Sequence, residues 1–221
     1  MSKRSVTKYV PLRRVLGGKP LELHASIARL SVLYEDLYLE LTEAAPPDVK
    51  QARRSYFIRR SFATLREFGE CLVRLDGGAD FRRVLWRQFD GTERGQWNAA
   101  IAWFGEHAQQ IQNVRNDFGG HFSYDAALYA VQHLDEVGDA SLEMRRDGET
   151  AGPHLHFADA LVQITFLRRK AELDEEAYAT ALFMLARTGY QQAVRCVHLV
   201  LAYYLAPRFG FLVKPPSERT S

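Results

Sequence analysis

The chain has 221 residues, 47% of them hydrophobic and 25% charged, with a formal net charge of only +2. That composition suits one soluble globular domain whose core is large enough to need no disulfide or metal staple. It excludes a protein that meets nucleic acid through a global positive field, so any such contact must rest on local clusters of base.

The N-terminal stretch MSKRSVTKYVPLRRV is basic and lacks the apolar centre of a signal peptide, so residues 1–20, closing on Gly17-Gly18-Lys19-Pro20, read as an arm. From residue 21 to 44, Leu23, Ile27, Leu30, Leu33, Leu37 and Leu41 recur every three or four positions and predict a helix. Pro46-Pro47 ends it, and Asp48 is placed to cap the next. Residues 49–75 carry a stripe of Ile58, Phe62, Leu65, Gly69 and Leu72. A glycine there costs roughly 1 kcal/mol against alanine, so Gly69 predicts a close helix contact.

Asp76-Gly77-Gly78 stops that helix, a short one is expected over 81–89, and a turn at Asp90-Gly91-Thr92. Trp97, Ile101, Phe104, Ala108 and Ile111 then carry one helix into NVRNDFGGHF. Residues 124–137 and 158–170 read as helices, and Asp147-Gly148 between short alternating runs suggests a β-hairpin insertion over about 140–157. Asp174-Glu175-Glu176 opens a last helix running to Ala206, before Pro207 and a tail to 221. The expectation is an all-α bundle of four or five main helices in a single domain, 21–206, decorated by the hairpin. Its most apolar region, 177–206, is interrupted by Arg187, Gln191, Gln192 and Arg195, which argues against a membrane span. Cys71 and Cys196 each lie in an apolar helical pattern, which indicates buried reduced thiols and a cytoplasmic location.

Several chemistries lack their residues. His154 and His156 share a strand face without a third ligand nearby, Gly17-Gly18-Lys19 lacks the spacing of a phosphate loop, and no G-x-S-x-G occurs. No metal or other cofactor is expected. Arginine is clustered, with Arg53, Arg54, Arg59, Arg60, Arg66 and Arg74 on one helix and Arg82, Arg83 and Arg87 on the next. The guanidinium fork suits phosphate, and Tyr56 and Phe57 are interleaved for stacking; the same residues also suit a solvated helix face.

Arg115-Asn116-Asp117-Phe118-Gly119-Gly120-His121 reads in two ways. A cation near a helix C-terminus followed by glycine is an ordinary helix end. On a continuous helix Arg115 and His121 would lie about 120° apart, but Gly119-Gly120 breaks it and lets His121 fold back towards the guanidinium. Arginine, imidazole and the Asn116 amide around one pocket are what metal-free phosphodiester cleavage needs.

A helical bundle carrying this motif resembles the HEPN superfamily (higher eukaryote and prokaryote nucleotide-binding domains). Its signature is an arginine, four to six residues and a histidine, with a polar residue commonly after the arginine. The texture of YFIRRSFATLREFGECLVRL resembles its abortive-infection branch. A tyrosine that one toxin branch places two residues after the histidine is here Ser123. The resemblance implies a metal-independent endoribonuclease of toxin–antitoxin or antiviral-defence type. Arg115 and His121 would be catalytic, with Asn116 supporting them; from the arginine cluster, Arg59, Arg60 and Arg66 are expected on the substrate. It further implies a homodimer with facing motifs, RNA as partner, a separate antitoxin protein, and a product with a 2′,3′-cyclic phosphate. The alternative is a non-catalytic helical module of the same scaffold that binds RNA or protein.

Overall fold

A computed structural model describes residues 11–46, 51–116, 128–129, 131–132, 142–144, 153–155 and 175–209. In chain order these form α1 (Leu12–Leu16), α2 (Leu21–Ala44), α3 (Gln51–Gly77), α4 (Ala79–Val84), a 3-10 turn (Trp86–Gln88), α5 (Gly91–Glu106) and α6 (Ala108–Val114). Strands β1 (Leu142–Met144) and β2 (Pro153–Leu155), helix α7 (Glu175–Val200), a π-helical turn (Leu201–Leu205) and α8 (Ala206–Arg208) follow. The described chain is mostly helical, as expected of an all-α protein. The two strands pair antiparallel, Leu142 opposite Leu155 and Met144 opposite Pro153. The residues joining them, Asp147-Gly148 included, lie outside the described residues, as do Asp48 and most of 124–137 and all of 158–170. No described helix is long and apolar enough to cross a membrane.

The expected arm contains a helix of its own, α1, which ends into Gly17 and Gly18. Gly18 has φ +79°, a left-handed conformation that glycine adopts without a Cβ penalty. The chain divides into two compact units: residues 1–38, 67–108 and 189–221, and residues 39–66 and 109–188.

In the first unit Leu23, Ile27, Leu30, Leu33 and Leu37 are all buried, the predicted stripe of α2. Phe68, Leu72 and Leu75 of α3 and Trp97, Ala100 and Phe104 of α5 are buried as well. Gly69 lets Phe104 approach closely: a Cβ there would stand 3.0 Å from the ring's Cδ1. The short helix expected over 81–89 is two pieces, α4 and the 3-10 turn, hinged at Leu85. An aromatic cluster fills this region, with Phe81 stacked on Trp97 at 4.7 Å and Phe89 at 5.4 Å from Tyr203.

Asp90 is not a free turn residue but the N-cap of α5. Its carboxylate accepts from the Glu93 amide, and the Glu93 carboxylate accepts from the Asp90 amide, a reciprocal capping box. Glu93 is buried and its other oxygen accepts from the Tyr203 hydroxyl at 2.5 Å. The next residue, buried Tyr204, meets Nε2 of buried His24 at 2.6 Å, with the Arg208 guanidinium 3.5 Å from its ring centroid. Tyr203 and Tyr204 are neighbours in the π-helical turn, so the widened turn is tied to α5 through Glu93 and to α2 through His24.

In the second unit Leu41, Ala44, Phe62, Leu65, Ile111, Val114, Leu182 and Ala186 are buried. Here α2 and α3 meet through polar groups. Buried Glu40 accepts from the Thr64 hydroxyl at 3.0 Å and faces Arg60 Nε at 3.5 Å. Arg54 donates to the carbonyl of Ala44, one of those the end of α2 leaves without helical partners, and to that of Pro46 just beyond it.

Candidate functional site

The helix expected to run unbroken from Trp97 to the motif is interrupted. His107 leaves helical geometry, its ring stacks on Trp103 at 4.5 Å, and α6 begins afresh at Ala108. Ile111 and Val114 face the core of the second unit, three residues apart. Gln109 and Gln110 of α6 are exposed, as are Arg115 and Asn116 just after it. Arg115 and Asn116 continue the chain in π-helical geometry, a wider turn that spaces successive side chains differently from the α-helix before them.

An amide chain organises this end. The Gln112 amide donates to Asn116 Oδ1, and Arg115 Nη1 lies 3.5 Å from the same oxygen. A guanidinium has donors only, and both contacts are consistent with Asn116 Oδ1 as the shared acceptor. Among the described residues the Asn116 NH2 group makes no hydrogen bond. A further rung joins Gln109 Nε2 to Asn113 Oδ1 at 2.9 Å. Sequence reasoning missed Gln112, although its i,i+4 spacing to Asn116 is a sufficient signal.

Among the described residues Arg115 bonds only its neighbour Asn116 and faces no carboxylate. A guanidinium so placed can take an anion in bidentate fashion. His121, with Asp117, Phe118, Gly119 and Gly120, lies outside the described residues. Of the three arginines expected on the substrate, Arg60 is exposed and held through Nε by Glu40. Arg59 and Arg66 are half-buried, and each interacts within the protein.

Other reactive groups are engaged elsewhere. Both cysteines are free and buried; burial pushes both thiols up, with Arg29 and Arg74 partly opposing it at Cys71. Neither is a thiolate nucleophile. Among the described residues no three of His, Cys, Asp and Glu gather as a metal site. A cleft of about 510 Å3 in the first unit is lined by Glu22, Ser26, Arg74, Asp80, Leu23 and Phe81. Asp80 in it is paired with Arg83 at 2.6 Å, and no imidazole lines it.

No protein-family model, no curated protein and no solved structure matches the chain significantly.

Proposed function

We propose that this protein is a metal-independent endoribonuclease of the HEPN type, built on a HEPN-like helical bundle with a hairpin insertion near 140–157. The observation that supports it best is Arg115: an exposed guanidinium without a carboxylate partner among the described residues, oriented by Asn116, six residues before His121. In the reaction the 2′ oxygen forms a bond to phosphorus as its proton leaves. The bond from phosphorus to O5′ breaks as that oxygen gains a proton. His121 carries a proton in this exchange, and Arg115 neutralises the charge that develops on the phosphorane oxygens. Asn116 donates its amide to a phosphate oxygen or orients the histidine. The products are a 2′,3′-cyclic phosphate and a 5′-hydroxyl.

Two copies would face their motifs across one cleft, in the cytoplasm, held silent by a separate antitoxin protein. Arg59, Arg60 and Arg66 would steer the RNA backbone. The test is incubation of wild type and His121→Ala with total RNA in EDTA. Cleavage by wild type alone, ending in a cyclic phosphate, is the expected result. Equal cleavage by the variant removes His121 from the chemistry, and binding without cleavage by either identifies a non-catalytic module.

A further inference from the structure

We infer that the N-terminal half of α3 is a contact surface for single-stranded RNA, with Tyr56 as the ring on which a base stacks. This rests on the RNA reading of the preceding section and names how that substrate is held. Residues 51–66 contain five arginines and no acid, and residues 39–66 as a whole carry six basic against three acidic side chains. The near-neutral chain therefore has a basic region here, within one of its compact units.

The acids of this region do not cancel it. Glu43 meets Arg53, but that pair is exposed on both sides, and such pairs are weak enough for a phosphate to displace. Glu40 meets Arg60 at Nε, and the Arg60 side chain is half exposed. Arg54 bonds main-chain carbonyls and keeps its full charge.

Tyr56 is 50% exposed, an unusual position for a large aromatic side chain next to arginines. It stands edge-on to half-buried Phe57, centroids 5.2 Å apart at 79°, and the Arg53 guanidinium lies 5.7 Å from the Phe57 centroid. The ring is thus braced from behind and loses little freedom when a base covers it. On the helix surface Arg53 lies one turn before Tyr56 and Arg60 one turn after, about 10 Å apart along the axis. A stacking ring between two guanidiniums matches an unpaired base between two phosphates. A duplex hides its bases from such a ring, so the surface selects single strands.

The experiment measures binding of an uncleavable 2′-O-methyl RNA 12-mer, single-stranded and as a duplex, by fluorescence anisotropy in EDTA. Wild type is expected to prefer the single strand, Tyr56→Ala to bind it roughly 5- to 100-fold more weakly, and Tyr56→Trp to retain affinity. Arg53→Gln is expected to lower both affinity and its salt dependence. Tyr56→Ala binding as wild type does, Tyr56→Trp failing as alanine does, or equal affinity for the duplex would each overturn the inference. His121-dependent cleavage with unchanged Tyr56→Ala binding defeats this surface and leaves the nuclease standing. Tyr56-dependent binding without any cleavage does the reverse, and absence of RNA binding by wild type defeats both.

Discussion

Replacing Gly69 by alanine sets two effects of known sign against each other. Inside a helix alanine is more favourable than glycine by about 1 kcal/mol. At this position its methyl group would lie 3.0 Å from Cδ1, 3.3 Å from Cγ and 3.4 Å from Cβ of Phe104. Phe104 is only 4% exposed and its ring packs on Phe68, centroids 5.6 Å apart, with Phe68 wholly buried. The ring has nowhere to swing, and overpacking of this kind costs about 1–3 kcal/mol. The net expectation is a loss of about 1 kcal/mol, or a melting temperature lower by roughly 2–4 °C in a chain of this size. Gly95, in the middle of α5, supplies the control, because a methyl group there meets nothing within 4 Å. Gly95→Ala should gain about 1 kcal/mol, so the two variants differ by about 2. Urea denaturation with an unchanged slope measures both. If Gly69→Ala stabilises as much as Gly95→Ala, the close packing of α3 on Phe104 is wrong.

Four other outcomes follow from named contacts. Asp90→Ala removes one half of the capping box of α5 and should cost about 1 kcal/mol in urea melts, with Asp90→Ser recovering most of it. Burial first, and the hydrogen bond to Glu93 second, push the Tyr203 hydroxyl up to about 12. A raised value means the folded state keeps the proton longer, so this contribution to stability is complete below pH 10 and is lost as pH rises towards 12. Tyr203→Phe should therefore lose less stability than wild type between those two values, whatever its stability at neutral pH. Arg115→Lys should fold as wild type does, because a cation still faces the helix end, yet lose cleavage by about 100-fold because the fork is gone; near-normal cleavage would refute bidentate phosphate contact. Gln112→Ala, which frees the Asn116 amide to turn, should lower kcat with little change in KM; an unchanged kcat would show that the amide chain has no part in the reaction.

What the sequence made legible follows from periodicity. The α2 stripe from Leu23 to Leu41 was readable because one side of a helix is buried at every turn, and each of those leucines and Ile27 is buried. Gly69 was readable because glycine is costly in a helix interior and so marks a contact. The break at His107 was not, since Trp97, Phe104 and Ile111 keep a helical spacing on both sides of it. Asp90 and Glu93 do stand at capping-box spacing, and the glycine between them suggested a turn instead. The π-helical turn at Leu201–Leu205 comes at the end of the apolar pattern, with only the three residues of α8 after it to carry the changed phase. Nor does any local signal mark the division into two units, because α2, α3 and α7 each supply residues to both.

The candidate site shows the same distinction between local and distant information. That a helix leads into Arg115 and Asn116 was legible from the apolar spacing up to Ile111, while Gly119 and Gly120, expected to end it, lie outside the described residues. That Arg60 is held by Glu40, twenty residues earlier on another helix, was not, because an i,i+4 search looks only along one helix. This difference bears on which arginines matter most. Arg60, Arg59 and Arg66 each have internal work that an arginine on a solvated helix face lacks, so their replacement disturbs the fold as well as any RNA contact. Among the described residues Arg115 has only Asn116, and Asn116 is held in turn by Gln112. A helix end needs a cation near its last carbonyls but has no need of an amide that fixes the direction of that cation. The helix end alone therefore accounts for the charge at position 115, and the Gln112–Asn116 amide chain is the feature it leaves for the chemistry to explain.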